Sequence, residues 1–214
     1  MGKIPAHCIM YVVPIPILSK VIPRISESDN SLLAKTIKGV LYFKAQNIYN
    51  RIAPYIVGKK VLDVGVGIGG ISSYLKQKGF DVTGVDVKNL TLIKESSPTI
   101  YNGETLPYND NSFDTAVIIH VLHHCNDNIK VLTEAKRVAK RVIVVEDTYR
   151  NDLEKFVVSF NDNFGNFEFY QHHYLTTRQW KDVIAKKGWN LIHMETYTEF
   201  TYVLYGRYTL FVIE

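Results

Sequence analysis

The stretch KKVLDVGVGIGG, Lys59 to Gly70, constrains this chain more than any other. An apolar run that reads as a β-strand passes into four glycines within six residues, Gly65, Gly67, Gly69 and Gly70. Glycine carries no Cβ, so such a turn adopts positive φ and lets a ligand approach the backbone closely. Gly65, Gly67 and Gly70 satisfy the G-x-G-x-x-G spacing of dinucleotide sites, a weak signal by itself. Asp63 stands two residues before the first glycine. A carboxylate there repels a pyrophosphate and suits a ligand carrying a cationic amine. The loop continues Ile71-Ser72-Ser73, without the lysine of a P-loop. Asp86 ends the next predicted strand about 20 residues on, where an acid can take two ribose hydroxyls, of a dinucleotide or of an adenosyl ligand alike.

Downstream of the glycines the hydrophobic pattern alternates. FDVTGVDV reads as a strand, KNLTLIKES as a short helix and PTIYNG as a short strand. FDTAVIIH and RVIVVED carry the continuous apolar runs of strands covered on both faces, and NIKVLTEAKRVAK between them is an amphipathic helix. The fold class expected is α/β, a doubly wound Rossmann-like sheet of seven strands. WNLIHMETYT and RYTLFVIE close the chain with no helix between them, so the last strand is expected antiparallel. Ahead of the sheet, Leu33, Ile37, Leu41, Ile48 and Ile52 mark one face of a helix ending before Pro54. The expected division is an apolar N-terminal arm over residues 1–30 and one domain over 31–214, with an insert at about 149–175. Thr176 and Gln179 form a capping box for the helix after that insert.

Composition narrows the function classes only modestly. The 214 residues carry a formal charge of +4, with basic side chains spread along the chain, which does not point to nucleic acid. Cys8 and Cys125 have no metal-type spacing and read as free thiols of a reducing compartment, so a cytoplasmic location is expected. Cys8 to Ile22 is too short for a span and is interrupted by Pro14, Pro16 and Lys20. It reads as an arm packed on the domain or on a second subunit, with contact to a membrane surface as the alternative. Monomer and homodimer both remain open.

Taken in order, Asp63-x-Gly65-x-Gly67-x-Gly69, Gly84-Val85-Asp86 and NGETLPYNDNSFDTAVIIHVLHH resemble the class I S-adenosylmethionine-dependent methyltransferases, in particular the type 11 group. The resemblance is close over about Val61 to Glu146 and architectural elsewhere. It implies S-adenosyl-L-methionine as cofactor, with Asp63, Gly65 and Gly67 around its methionine part and Asp86 on the ribose. Asn102 stands where the family most often has an aspartate on the adenine amino group, and is expected to accept from it. Gly103 would offer its amide to the ring, and His120 would lie beside the methionine moiety. The family's RVLKPGG turn is absent; RVAKRVIVVED implies a tighter passage from helix to strand. Asp114 in SFD reads as capping the start of a strand.

Methyl transfer from a sulfonium requires alignment and exclusion of water, and a hydroxyl acceptor adds the need for a base. Bases belong past the carboxyl ends of the strands, where His120, His123, His124, Glu146 and Asp147 fall. His123 and His124 either bond the backbone at the start of a helix or face a substrate. His124 and His173 are the expected catalytic residues. Leu153 to Tyr174, with its stripe Leu153, Phe156, Val157, Phe160 and Phe164, is the expected substrate lid, and Tyr170 and Tyr174 would close it. No metal site is expected, because adjacent histidines rarely point to one ion. The partner expected is a small-molecule O- or N-acceptor. Transfer RNA modification and a non-catalytic adenosyl-binding role are the rival readings.

Overall fold

The computed structural model describes residues 22–166, 172–200 and 205–214. Most of the N-terminal arm and Tyr170 lie outside the described residues. Helix α1, Leu32–Ile52, leads into strand β1, Lys60–Val64. Then follow α2 Gly70–Gln77, β2 Asp81–Asp86, β3 Thr99–Ile100 and β4 Phe113–Ile119. The chain continues through α3 Asn128–Val138, β5 Ala139–Asp147, α4 Asp152–Asn166, α5 Thr177–Lys187, β6 Leu191–Phe200 and β7 Tyr205–Ile213. Among the described residues no helix is long and apolar enough to cross a membrane.

The sheet has seven strands in the order β3-β2-β1-β4-β5-β7-β6. β1 to β5 pair in parallel, and β7 runs antiparallel between β5 and β6. Strand alternation divides the core. Leu62, Val64, Ala116, Ile118, Val142, Val144, Phe211 and Ile213 meet α3 and α5 on one face. Val61, Val117, Ile143, Val145, Leu210 and Val212 meet Leu75 of α2 and Ile52 of α1 on the other. Both faces are covered, which is why these strands read as unbroken apolar runs.

Several local expectations hold. α1 buries Ile37, Leu41 and Ile52, while Leu33 is exposed. α3 passes directly into β5 at Val138–Ala139, with no intervening turn. Thr176 and Gln179 make the capping box, and Gly188 ends α5 with φ +67°. One expectation fails: KNLTLIKES is not a helix. Leu92 and Ile93 are consecutive and both fully buried, which an extended segment achieves and a single helix face does not. Ile25 bridges them, donating to the Leu92 carbonyl and accepting from the Lys94 amide. Only a 3-10 turn forms, Lys94–Ser96.

Leu132 of α3 is fully buried against the sheet. Leu132→Ala should cost about 2–5 kcal/mol in urea unfolding. A loss below about 1 kcal/mol would mean that α3 is not packed as described.

Candidate active site

The chain leaves β1 in one direction to β2 and β3 and in the other to β4 and β5. The reversal opens a crevice at the carboxyl ends of the strands. A cavity of about 670 Å³ lies there. Asp63 and Gly65 line it from the end of β1, Asp86 from β2, Asn102 and Gly103 after β3, His120 and His124 after β4, and Asp147 from β5. Leu41, Lys44 and Ala45 of α1 form a further wall.

The glycine turn is tight for a visible reason. Gly65, Gly67 and Gly69 have φ of +82°, +53° and +88°. A Cβ on Gly65 would stand 2.3 Å from a Val121 methyl, whereas one on Gly67 would meet open space. Asp86 fixes the turn, its Oδ2 accepting the Gly67 amide at 2.9 Å. Asp63 is buried, and its carboxylate accepts the Ser72 hydroxyl at 2.6 Å. Burial pushes its pKa up to about 6, opposed by the Ser72 bond and reinforced by the Asp86 charge. A ligand cation placed here would relieve that cost. Asn102 departs from expectation. Its Oδ1 already accepts the amides of Glu104 and Thr105, both at 2.9 Å, which leaves its Nδ2 as the group for a ligand.

The opposite wall is polar. Glu146 Oε1 accepts the amides of Val121 and Leu122 at 2.8 and 2.7 Å, and its Oε2 lies 2.7 Å from His123 Nδ1. His120, itself at φ +57°, places Nδ1 2.6 Å from Asp147 Oδ2. From α4, Asp162 reaches across: its Oδ2 lies 3.1 Å from His172 Nδ1 and accepts the Tyr174 hydroxyl at 2.8 Å. Burial disfavours a charge on His123, but Glu146, Asp162 and Asp147 outweigh it and hold the pKa well above the usual range. Burial, with the neighbouring His123, lowers His124 to about 4.

The methyltransferase-domain family matches residues 62–142, which span the glycine turn, Asp86, Asn102 and the histidines after β4. Over residues 62–142 the chain is similar to the methyltransferase-domain family. A ubiquinone biosynthesis O-methyltransferase of Paraburkholderia phymatum is 31% identical over 97 residues, 40% of this chain and 42% of that protein. A sarcosine/dimethylglycine N-methyltransferase of Aphanothece halophytica is 27% identical over 176 residues, 71% of this chain and 59% of that protein. The chain thus spans less than two thirds of either relative's length. The magnesium protoporphyrin IX methyltransferase of Synechocystis PCC 6803, solved with bound SAH, shares the fold. Its TM-score is 0.57 at 14% identity, over 80–90% of both chains (88% of this one and 89% of that one).

The fold brings all seven expected cofactor residues, Asp63, Gly65, Gly67, Asp86, Asn102, Gly103 and His120, to one cavity, together with His124. His173 does not join them. It is exposed, and its neighbour His172 is the buried one. Three residues of the expected stripe, Leu153, Phe156 and Phe160, are exposed, and α4 lines the cavity with Asn161 and Asp162; the side chain of Phe164 lies outside the described residues. Val158, Asn161 and Asp162 share a face about 140° round from Leu153, Phe156, Val157 and Phe160, and that face is the one turned inward. Helical phase from Val158 would have signalled Asp162; nothing local signals Tyr208, whose ring meets His120 edge-on at 5.1 Å. Asp114 caps a strand, though not its own: it accepts the amides of Lys59 and Lys60 at the start of β1.

Gly65→Ala should destabilise the domain more than Gly67→Ala, since both carry a strain of about 1–2 kcal/mol but only the first meets Val121. Equal urea midpoints for the two variants would contradict the close approach.

Proposed function

We propose that this domain binds S-adenosyl-L-methionine in the cavity and transfers its methyl group to a small-molecule acceptor through oxygen or nitrogen. The observation that carries the reading is the pair of carboxylates, Asp63 and Asp86, on either side of a glycine turn whose Gly67 faces open space. Asp63 receives the cofactor amine, and Asp86 receives the ribose hydroxyls. Asn102 donates to the adenine ring through Nδ2, and Gly103, at φ +78°, brings its backbone to the ring edge. The relatives named for quinone and for glycine-derivative methylation both act on small molecules, and a cavity of about 670 Å³ is in the range of small-molecule sites.

Displacement at the sulfonium leaves the chain to align the acceptor and shed water. Residues 31–214 act as one unit, and the part of the 149–175 insert in α4 covers the acceptor side through Asn161 and Asp162. For a hydroxyl acceptor, His120 is the group placed to take the proton. Asp147 holds its Nδ1, which directs Nε2 as the accepting nitrogen. Of the two bases expected from sequence, His173 is exposed and does not line the cavity, whereas His124 lines it together with His120.

Titration calorimetry with S-adenosylmethionine tests the reading. Asp86→Ala should weaken binding by about 2–4 kcal/mol, the loss of two charge-assisted hydrogen bonds. Unchanged affinity, or tighter binding of a nicotinamide dinucleotide, would overturn it. The affinity should also depend on pH. An ionised Asp63 attracts the cofactor amine, so binding is strongest above its pKa of about 6 and weakens as pH falls through that value. In Asp63→Asn that pH dependence should vanish.

A further inference from the structure

Across the cavity from the glycine turn, three side chains converge from two parts of the chain. His123 and His124 lie on the 3-10 turn Leu122–His124, and Asp162 lies on α4. Their ligand-type atoms all fall within 4.8 Å of one another. Asp162 Oδ2 is 3.6 Å from His123 Nε2, and Asp162 Oδ1 is 3.6 Å from His124 Nε2. That separation is too long for a hydrogen bond. It is close to the edge, ~3.4 Å, of a tetrahedron with metal–ligand bonds of ~2.1 Å.

The support behind these atoms is of the kind metal sites use. His123 is 2% exposed, and its Nε2 has no hydrogen-bond partner among the described residues. Its Nδ1 is held by Glu146 at 2.7 Å, and Glu146 is held in turn by two backbone amides. A carboxylate on the far nitrogen of an imidazole fixes the tautomer and aims the near nitrogen at the ion. Asp162 is oriented by the Tyr174 hydroxyl and lies beside His172. Asp147 adds a third carboxylate, 3.9 Å from His123. Neighbouring histidines are a poor sequence signal for a metal, but the tight turn here carries both imidazoles to one side.

We propose that His123, His124 and Asp162 bind a divalent first-row transition-metal ion of the zinc type, with Glu146 as a positioning residue. His124 and Asp162 line the cavity, so the remaining coordination position opens toward it. An anionic oxygen of the acceptor is the ligand that position suits. That last use rests on the methyl-transfer reading; the binding of the ion does not.

The test is titration of chelator-treated full-length protein with cobalt(II), followed by visible d–d absorption, with zinc displacement as a second readout. Saturation at one equivalent is expected. Asp162→Asn and His124→Gln should each weaken binding at least tenfold. Glu146→Gln should weaken it by about 10–100-fold. His193→Gln, far from the cluster in sequence and on β6, should leave cobalt affinity unchanged. Each variant is first checked for native melting, so a fold defect in one leaves the others to decide. Absence of saturable absorption, or wild-type cobalt affinity in both Asp162→Asn and His124→Gln, would overturn the site. S-adenosylmethionine titration of the same preparation separates the two proposals, since either ligand can bind while the other fails.

Discussion

The hydrogen bond from the Gly67 amide to Asp86 holds the ligand-facing edge of this domain together. It joins the ends of β1 and β2 across a turn with three positive-φ glycines. Positive φ is cheap for glycine only, and without a fixed acceptor such a turn would sample many conformations. With Asp86 in place, Gly65 is pressed against Val121, and the turn after β4 is positioned by the turn after β1. The glycine side and the histidine side of the cavity are therefore one mechanical unit.

Glu146 does on the other side what Asp86 does on the first. One of its oxygens satisfies two amides of the turn after β4, and the other orients His123. A buried carboxylate is costly unless its lone pairs are filled, and here they are filled by the groups that carry the site. The same residue closes the turn, so the polar cluster and the backbone it stands on form together.

Asp63 follows a different rule. It is buried with one hydroxyl partner, and burial raises its pKa to about 6. The fold carries that unfavourable charge near neutral pH. On linkage, a group with a raised pKa in the folded state stabilises the fold less as pH rises from the unfolded value through about 6. In the proposed reading ligand affinity runs the other way, because the ionised form is the one that attracts a cationic amine. Stability and binding are thus set against each other at one residue, as is common where sites are prepared for a ligand.

Local patterns determined much of this molecule. The strands from β1 to β5, the antiparallel close, the capping box at Thr176 and the glycine turn after β1 were legible because periodicity and turn chemistry are properties of neighbours in the chain. Three features were decided only in three dimensions. KNLTLIKES forms no α-helix, and its Leu92 carbonyl and Lys94 amide pair with the backbone of Ile25 instead. Phe156 and Phe160 of α4 face outward because helical phase is set by what the helix packs on, and here Val158, Asn161 and Asp162 meet the domain. His123, His124 and Asp162 meet although 38 residues separate the last two (162 minus 124), since strand order, not sequence distance, brings α4 beside the turn after β4. Chain pattern specifies which elements form; which side chains share a cavity depends on how those elements cross, and that is a property of the packed sheet alone.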